Sequence, residues 1–264
     1  MTDMAANYDL PDVVKVEVDG PVRIVRLSRP EHLNAINEEL HLGLTRLFPQ
    51  LSADAEARVA VITGEGRAFS AGGDFDLLDR MSKDRDLRRA VIAEGRELVL
   101  NMIRCRVPVV AAVNGPAVGL GCSVIALSDV VLMAESAYLS DPHVVVGLVA
   151  ADGGPLTWPL HTSLLLAKEY AFTGDRISAE RAAQIGLANH VCPDDEVFPA
   201  ALATAKKIAA LPRQAVEATK RVLNLHVERS VLATIDFAMA SETESFDTDD
   251  LRQNVDRFLG RTNN

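Results

Sequence analysis

Two glycine-rich segments and one histidine–aspartate spacing hold the residues best suited to chemistry in this chain. The first segment is Gly66-Arg67-Ala68-Phe69-Ser70-Ala71-Gly72-Gly73-Asp74; the second is Asn114-Gly115-Pro116-Ala117-Val118-Gly119-Leu120-Gly121-Cys122. Each follows a β-branched run, residues 59–63 and 107–113, and each precedes a helical pattern. Small residues let backbone N–H groups approach a ligand closely. One donor from each loop would form an oxyanion hole for a thioester or ketone carbonyl, a site where loss of one donor costs ~3 kcal/mol of transition-state stabilisation. Taken alone, either loop is equally well a tight turn with no ligand.

His143 lies in Ser140-Asp141-Pro142-His143, and Asp152 follows nine residues later in Val149-Ala150-Ala151-Asp152-Gly153-Gly154. An imidazole with an ordinary pKa of ~6.5 suits proton transfer near neutrality. A carboxylate in the small-residue turn would accept from that imidazole and hold its tautomer, as in catalytic dyads. The structural alternatives are a packed histidine and an aspartate capping a helix that begins near Pro155.

The elements that position these groups follow from periodicity. Residues 13–18 and 22–27 alternate around Asp19-Gly20, a hairpin signal. Residues 37–51 read as a helix with Leu40, Leu44, Leu47 and Leu51 on one face. Residues 59–63, 109–113 and 129–133 read as strands, and residues 86–104 and 120–127 as helices. Alternating strands and helices predict an α/β fold with right-handed crossovers and a largely parallel sheet. From Ala179 onward the pattern is helical, over residues 179–185, 196–210, 213–226, 228–246 and 248–259. The expected organisation is a flexible tail over residues 1–12, a core over 13–190 and a helical region over 191–264.

Several co-linear motifs resemble the crotonase superfamily, also called the enoyl-CoA hydratase/isomerase family, over nearly the whole chain. They are Leu27-Ser28-Arg29-Pro30-Glu31 with Asn34-Ala35, Arg67 through Asp74, Ala112-Val113-Asn114-Gly115 with Gly119-Leu120-Gly121-Cys122, and Phe172-Thr173-Gly174-Asp175-Arg176-Ile177-Ser178-Ala179. The resemblance implies a crotonase-like (ClpP/crotonase) spiral of ββα repeats. Its C-terminal helices would pack over the active site or a neighbouring subunit of a homotrimer or homohexamer. It places the oxyanion donors on Gly73 and Leu120, with Gly72 and Gly119 beside them. It also implies an acyl-CoA substrate, with coenzyme A arriving as part of that substrate rather than as a resident cofactor, and a cytoplasmic enzyme of the fatty-acid type. The loop from Arg29 to Ala35, including Glu31 and Asn34, would contact the pantetheine and nucleotide, with Ala71 on the adenine side. Phe258 and Arg261 match an aromatic and a basic position that meet coenzyme A from a neighbouring subunit. Asp74 is expected to be an anchor or a cap.

The catalytic glutamates of that family are missing. The first position is Ser123 and the second is His143. Serine is no general base unless another base activates it. The two-carboxylate hydratase and single-glutamate isomerase mechanisms therefore both lack their groups, and His143 with Asp152 would take over. A histidine followed nine residues later by aspartate also resembles the β-diketone hydrolase branch of the superfamily, typified by 6-oxocamphor hydrolase. That branch cleaves a carbon–carbon bond without coenzyme A, and Glu242 matches a carboxylate it places on a C-terminal helix. A further histidine of that branch is Leu120 here, and the only tryptophan is Trp158. A third alternative is a family member that binds acyl-CoA without turning it over.

Composition narrows the field. A net charge of −10 opposes nucleic-acid binding. Three scattered cysteines, Cys105, Cys122 and Cys192, suggest a reducing compartment without a disulfide framework. No stretch reaches the ~18 apolar residues of a membrane span. His32, His41, His161, His190 and His226 lack metal-ligand spacing, which predicts surface or packing roles and no metal site.

Overall fold

The computed structural model describes residues 8–261. The hairpin forms as expected: β1 (Val14–Asp19) and β2 (Val22–Leu27) pair antiparallel with Asp19 opposite Val22. The chain continues through α1 (Glu38–Ala53), β3 (Val59–Gly64), α2 (Phe75–Lys83), α3 (Arg85–Arg104), β4 (Val109–Val113), β5 (Ala117–Val118) and α4 (Leu120–Ala126). Next come β6 (Val130–Ala134), β7 (Tyr138–Ser140), α5 (His143–Val146), α6 (Gly154–His161), α7 (Leu164–Thr173), β8 (Ile177–Ser178), α8 (Ala179–Ile185) and β9 (His190–Cys192). Four helices close the chain: α9 (Val197–Ala209), α10 (Arg213–Leu232), α11 (Ile235–Ser245) and α12 (Asp249–Phe258).

The main sheet has the order β1-β2-β3-β4-β6-β9 and is parallel beyond the first hairpin. A second, smaller sheet has the order β5-β7-β8. Every residue of β3 and β4 is buried, which accounts for their unbroken apolar character: parallel strands covered on both faces do not alternate. The helix α9 lies on β3, β4 and β6, presenting Val197, Ala201, Ala205 and Ala209 at four-residue spacing. Elsewhere α1 packs on α3 through Leu40, Leu44, Leu47 and Leu51, the face read from periodicity. Asn37 caps α1 by accepting from the Leu40 N–H, and Asp84 caps α3 by accepting from Asp86 and Leu87.

Three boundaries differ from expectation. Within the expected tail, residues 1–7 lie outside the described residues, whereas Tyr8 donates to Asp54 at 2.8 Å and Pro11 accepts from Val14. The stretch from Tyr8 onward is thus pinned, and burial with Asp54 raises the Tyr8 pKa. The expected division at residue 190 falls inside β9, which pairs with β6 and belongs to the main sheet. The break expected at Val227 is absent. There α10 runs unbroken to Leu232, because Arg104 and Arg221 both hold Glu228 and no glycine or proline interrupts the turn.

Contacts of α11 with α3, and of α12 with α2 and α5, bring the C-terminal helices over the two glycine loops. Among the described residues, no helix is long and apolar enough to cross a membrane.

Candidate active site

The two glycine loops are sewn to each other. Ser70 N–H donates to Pro116 O at 3.0 Å, and Val118 N–H donates to Ser70 O at 2.9 Å. Gly72 adopts φ +89°, and a Cβ there would lie 3.1 Å from Val118 O, so the approach of the loops requires glycine. Gly119 adopts φ +52°; a Cβ there would lie 3.6 Å from His143 Cε1 and 4.0 Å from Gly73 N. Gly119 therefore marks where the second glycine loop meets His143. Among the described residues the Gly73 N–H has no protein acceptor. Leu120 is the first residue of α4, so its N–H lacks an intrahelical partner. Both residues line one cavity of about 310 Å³, together with Ala71, Gly72 and Gly119.

His143, Asp152 and Glu242 line the same cavity. His143 opens α5 and is mostly buried. Its Nδ1–H donates to Asp141 Oδ1, and its Nε2 stands 3.9 Å from Asp152 Oδ2. The dyad expected from sequence is thus corrected: Asp141, two residues before the histidine, takes the orienting place assigned to Asp152. Asp141 is only 1 % exposed, and its Oδ2 has no hydrogen-bond partner among the described residues. Asp152 instead faces the opposite ring nitrogen. It does not cap α6, whose N-cap is Gly153 without a side-chain bond. Ser123 Oγ donates its one proton to Asp152 Oδ1 at 2.7 Å, and Gly119 O, at 3.2 Å, is the alternative acceptor. Buried behind the cavity wall, Ser123 supports the carboxylate rather than meeting a substrate.

Charge sets the resting protonation. Burial pushes the His143 pKa down, but Asp141 and Asp152, with help from Glu242, outweigh it and raise it to about 10. The imidazole therefore rests as an imidazolium at neutral pH. Burial foremost, then the Asp152 charge, pushes Glu242 up to about 8, with His143 opposing. Glu242 is mostly protonated at neutrality. Burial, reinforced by Asp141 and Asp152, also raises the Cys122 thiol, which makes it a poor nucleophile.

The other residues singled out in the sequence fall into two groups. Phe258 lines the cavity of its own chain and stacks on Phe75 with ring centroids 4.3 Å apart. Arg261 pairs with Asp79 of its own chain at 2.7 Å and lies outside the cavity lining. Arg29 donates to Ala35 O and lies 3.2 Å from Asp74, and Asp74 caps α2 by accepting from Asp76 N–H. Asn34 is fully buried, donating to Glu65 O and Ala68 O while accepting from Arg29 N–H. Glu31 is exposed beside His32. Arg29, Asn34, Ala35 and Asp74 thus brace the first glycine loop, and none lines the cavity. Two groups were missed in the sequence: Asp141, sitting inside a quoted motif, and His41, which also lines the cavity.

A two-sheet α/β core, paired glycine loops and helices closing over them define a crotonase-like protein. The chain belongs to the Enoyl-CoA hydratase/isomerase family, whose sequence model matches residues 17–264. It is similar to the short-chain-enoyl-CoA hydratase of Clostridium acetobutylicum, at 29% identity over 93% of this chain and 94% of that protein. It is also similar to the 2,3-dehydroadipyl-CoA hydratase of Escherichia coli, at 31% identity over 90% of this chain and 92% of that one. Its fold matches the crystal structure of an enoyl-CoA hydratase/isomerase from Mycobacterium paratuberculosis with a TM-score of 0.93 and 63% identity, covering 95% of this chain and all of that one.

Proposed function

We propose that the protein adds water across the double bond of a 2-enoyl-CoA thioester, with His143 and Asp152 replacing the customary glutamates. The observation that carries this reading is the placement of His143 and Asp152 in one cavity with the Gly73 and Leu120 N–H groups. His143 Nε2 and Asp152 Oδ2 stand 3.9 Å apart, so a carboxylate base and an imidazolium acid face the same space. Asp152 takes a proton from the water as its oxygen joins the β-carbon. The thioester oxygen gathers the resulting charge and is held by Gly73 and Leu120 N–H. The imidazolium of His143 then gives its Nε2 proton to the α-carbon, and the proton on Asp152 returns to His143. Asp141 holds the ring and stabilises its charged form throughout. The exposed apolar side chains Leu165, Phe172 and Phe237 support assembly into a homotrimer or homohexamer.

One observation favours a second reading, the hydrolysis of a β-diketone without coenzyme A. Glu242 enters the cavity as a third acid–base group beside His143 and Asp152. That chemistry asks His143 to act as a base, and its raised pKa opposes this near neutrality. Hydration therefore leads.

Calorimetric titration with crotonyl-CoA and free coenzyme A, followed by absorbance of the conjugated thioester, tests the choice. Micromolar binding with loss of conjugation is the expected result. Cleavage of a cyclic 1,3-diketone with no thioester binding would replace it with the second reading. Thioester binding without turnover would indicate a non-catalytic member.

A further inference from the structure

The cavity is apolar away from its catalytic groups, with one exception. Leu77, Met81, Val91, Ile92 and Met239 form its walls, and His41 stands among them. His41 is 6 % exposed. Its Nδ1 donates to Glu94 Oε2 at 3.1 Å, which fixes the ring and turns Nε2 away from Glu94. Among the described residues Nε2 has no hydrogen-bond partner, and it is not wholly shielded. It lies 3.7 Å from where a Cβ on Gly95 would stand, and Met239 Cε is 4.0 Å from the same point; both Gly95 and Met239 line the cavity. Met239 precedes Glu242 by one turn of α11, ~4.5 Å along the axis. The imidazole edge and Met239 thus meet at one stretch of the apolar wall, a turn of α11 away from Glu242, where the distal acyl chain would run.

A plain alkyl tail packed there would strip water from Nε2 and return no hydrogen bond, which selects against such a tail. A hydroxyl satisfies the ring in either protonation state, because it can donate to a bare Nε2 or accept from an Nε2–H. We propose that His41 determines specificity by hydrogen-bonding a hydroxyl carried on the distal acyl chain, so that hydroxylated 2-enoyl thioesters are the preferred substrates; this rests on the acyl-CoA reading above.

The test compares trans-2-hexenoyl-CoA with its 6-hydroxy counterpart on the full-length protein and on His41→Leu and His41→Gln. The wild type is expected to prefer the hydroxylated thioester by about 10-fold in kcat/KM, the order of one hydrogen bond in a dry site. His41→Leu should erase that preference, so that the ratio of kcat/KM for the hydroxylated and plain thioesters falls about 10-fold to near 1. His41→Gln, which still offers an amide, should keep part of the preference and serves as the reporter if the leucine variant does not fold. Equal use of both thioesters by the wild type, or a preference that survives in His41→Leu, overturns the role of His41 and leaves the acyl-CoA reading standing. Failure of the wild type to bind either thioester removes that reading and this proposal with it.

Discussion

One part of the cavity presents backbone N–H groups, those of Gly73 and Leu120, each delivered by a loop that follows a buried strand. The other part presents side chains from separate places: His143 on α5 with Asp141 behind it, Asp152 in the turn before α6, and Glu242 on α11. The donor side depends on local backbone geometry, visible as glycines at φ +89° and +52°. It presents the same chemistry whatever side chain stands at position 120. The acid–base side depends on which residue types three distant segments bring together. Reaction type can change there while oxyanion stabilisation stays constant, which is how one scaffold serves several reactions.

Substitutions on the side-chain wall sharpen that contrast, because they should reduce turnover while leaving thioester affinity nearly intact. The largest effect is expected for His143→Ala, a loss of ~1,000-fold in kcat with little change in the Kd for crotonyl-CoA. Undiminished turnover would remove His143 from the chemistry. Asp152→Asn keeps the shape and removes the base, and should cost ~100-fold in kcat. A matching loss of thioester affinity would mean that Asp152 only shapes the pocket. Ser123→Ala removes one hydrogen bond to Asp152 and should lower kcat about 5-fold. If Ser123→Ala were as damaging as Asp152→Asn, the serine would itself be a reacting group.

Glu242 gives a comparison in stability. Its carboxyl is raised from 4.5 to about 8 in the folded protein, so the unfolded chain loses that proton first. Folding stability from this group therefore falls as pH rises from about 4.5 through about 8. His143 acts in the same direction at higher pH: its raised pKa contributes stability that is full below about 6.5 and lost as pH rises through about 10. Glu242→Gln should match wild type in Tm near pH 5 and exceed it by a few degrees near pH 9 in a thermal-melt series. A Tm difference independent of pH would show that Glu242 does not titrate in this window.

The glycine loops, strands β3 and β4 and helices α1 and α3 were legible in the sequence because their signals are local. Periodicity reports a buried face, and small residues at a strand end report close backbone approach. Asp141 was harder to assign. Its motif was in view, but whether it or Asp152 meets Nδ1 depends on the rotation of the short helix α5, which no periodicity encodes. The helix α2 was missed because nine residues after a glycine loop make too few turns to register. Arg29 and Asn34 also brace the loop, a role no local pattern encodes, since the hydrogen-bond partners that show it lie 31 to 45 residues away in sequence. His41 sat on the apolar face of α1 and resembled a packing residue; only the closure of α3 and α11 reveals the cavity beside it.

Hydration as proposed needs a resting imidazolium at His143, held between two carboxylates. Imidazole ¹⁵N resonances of the folded protein, assigned with His143→Ala and followed from pH 5 to 10.5, would read it. Both ring nitrogens of His143 are expected to stay protonated through pH 8 and to titrate near 10. A neutral ring at pH 7, titrating near the ordinary 6.5, would contradict it and make His143 a base rather than an acid.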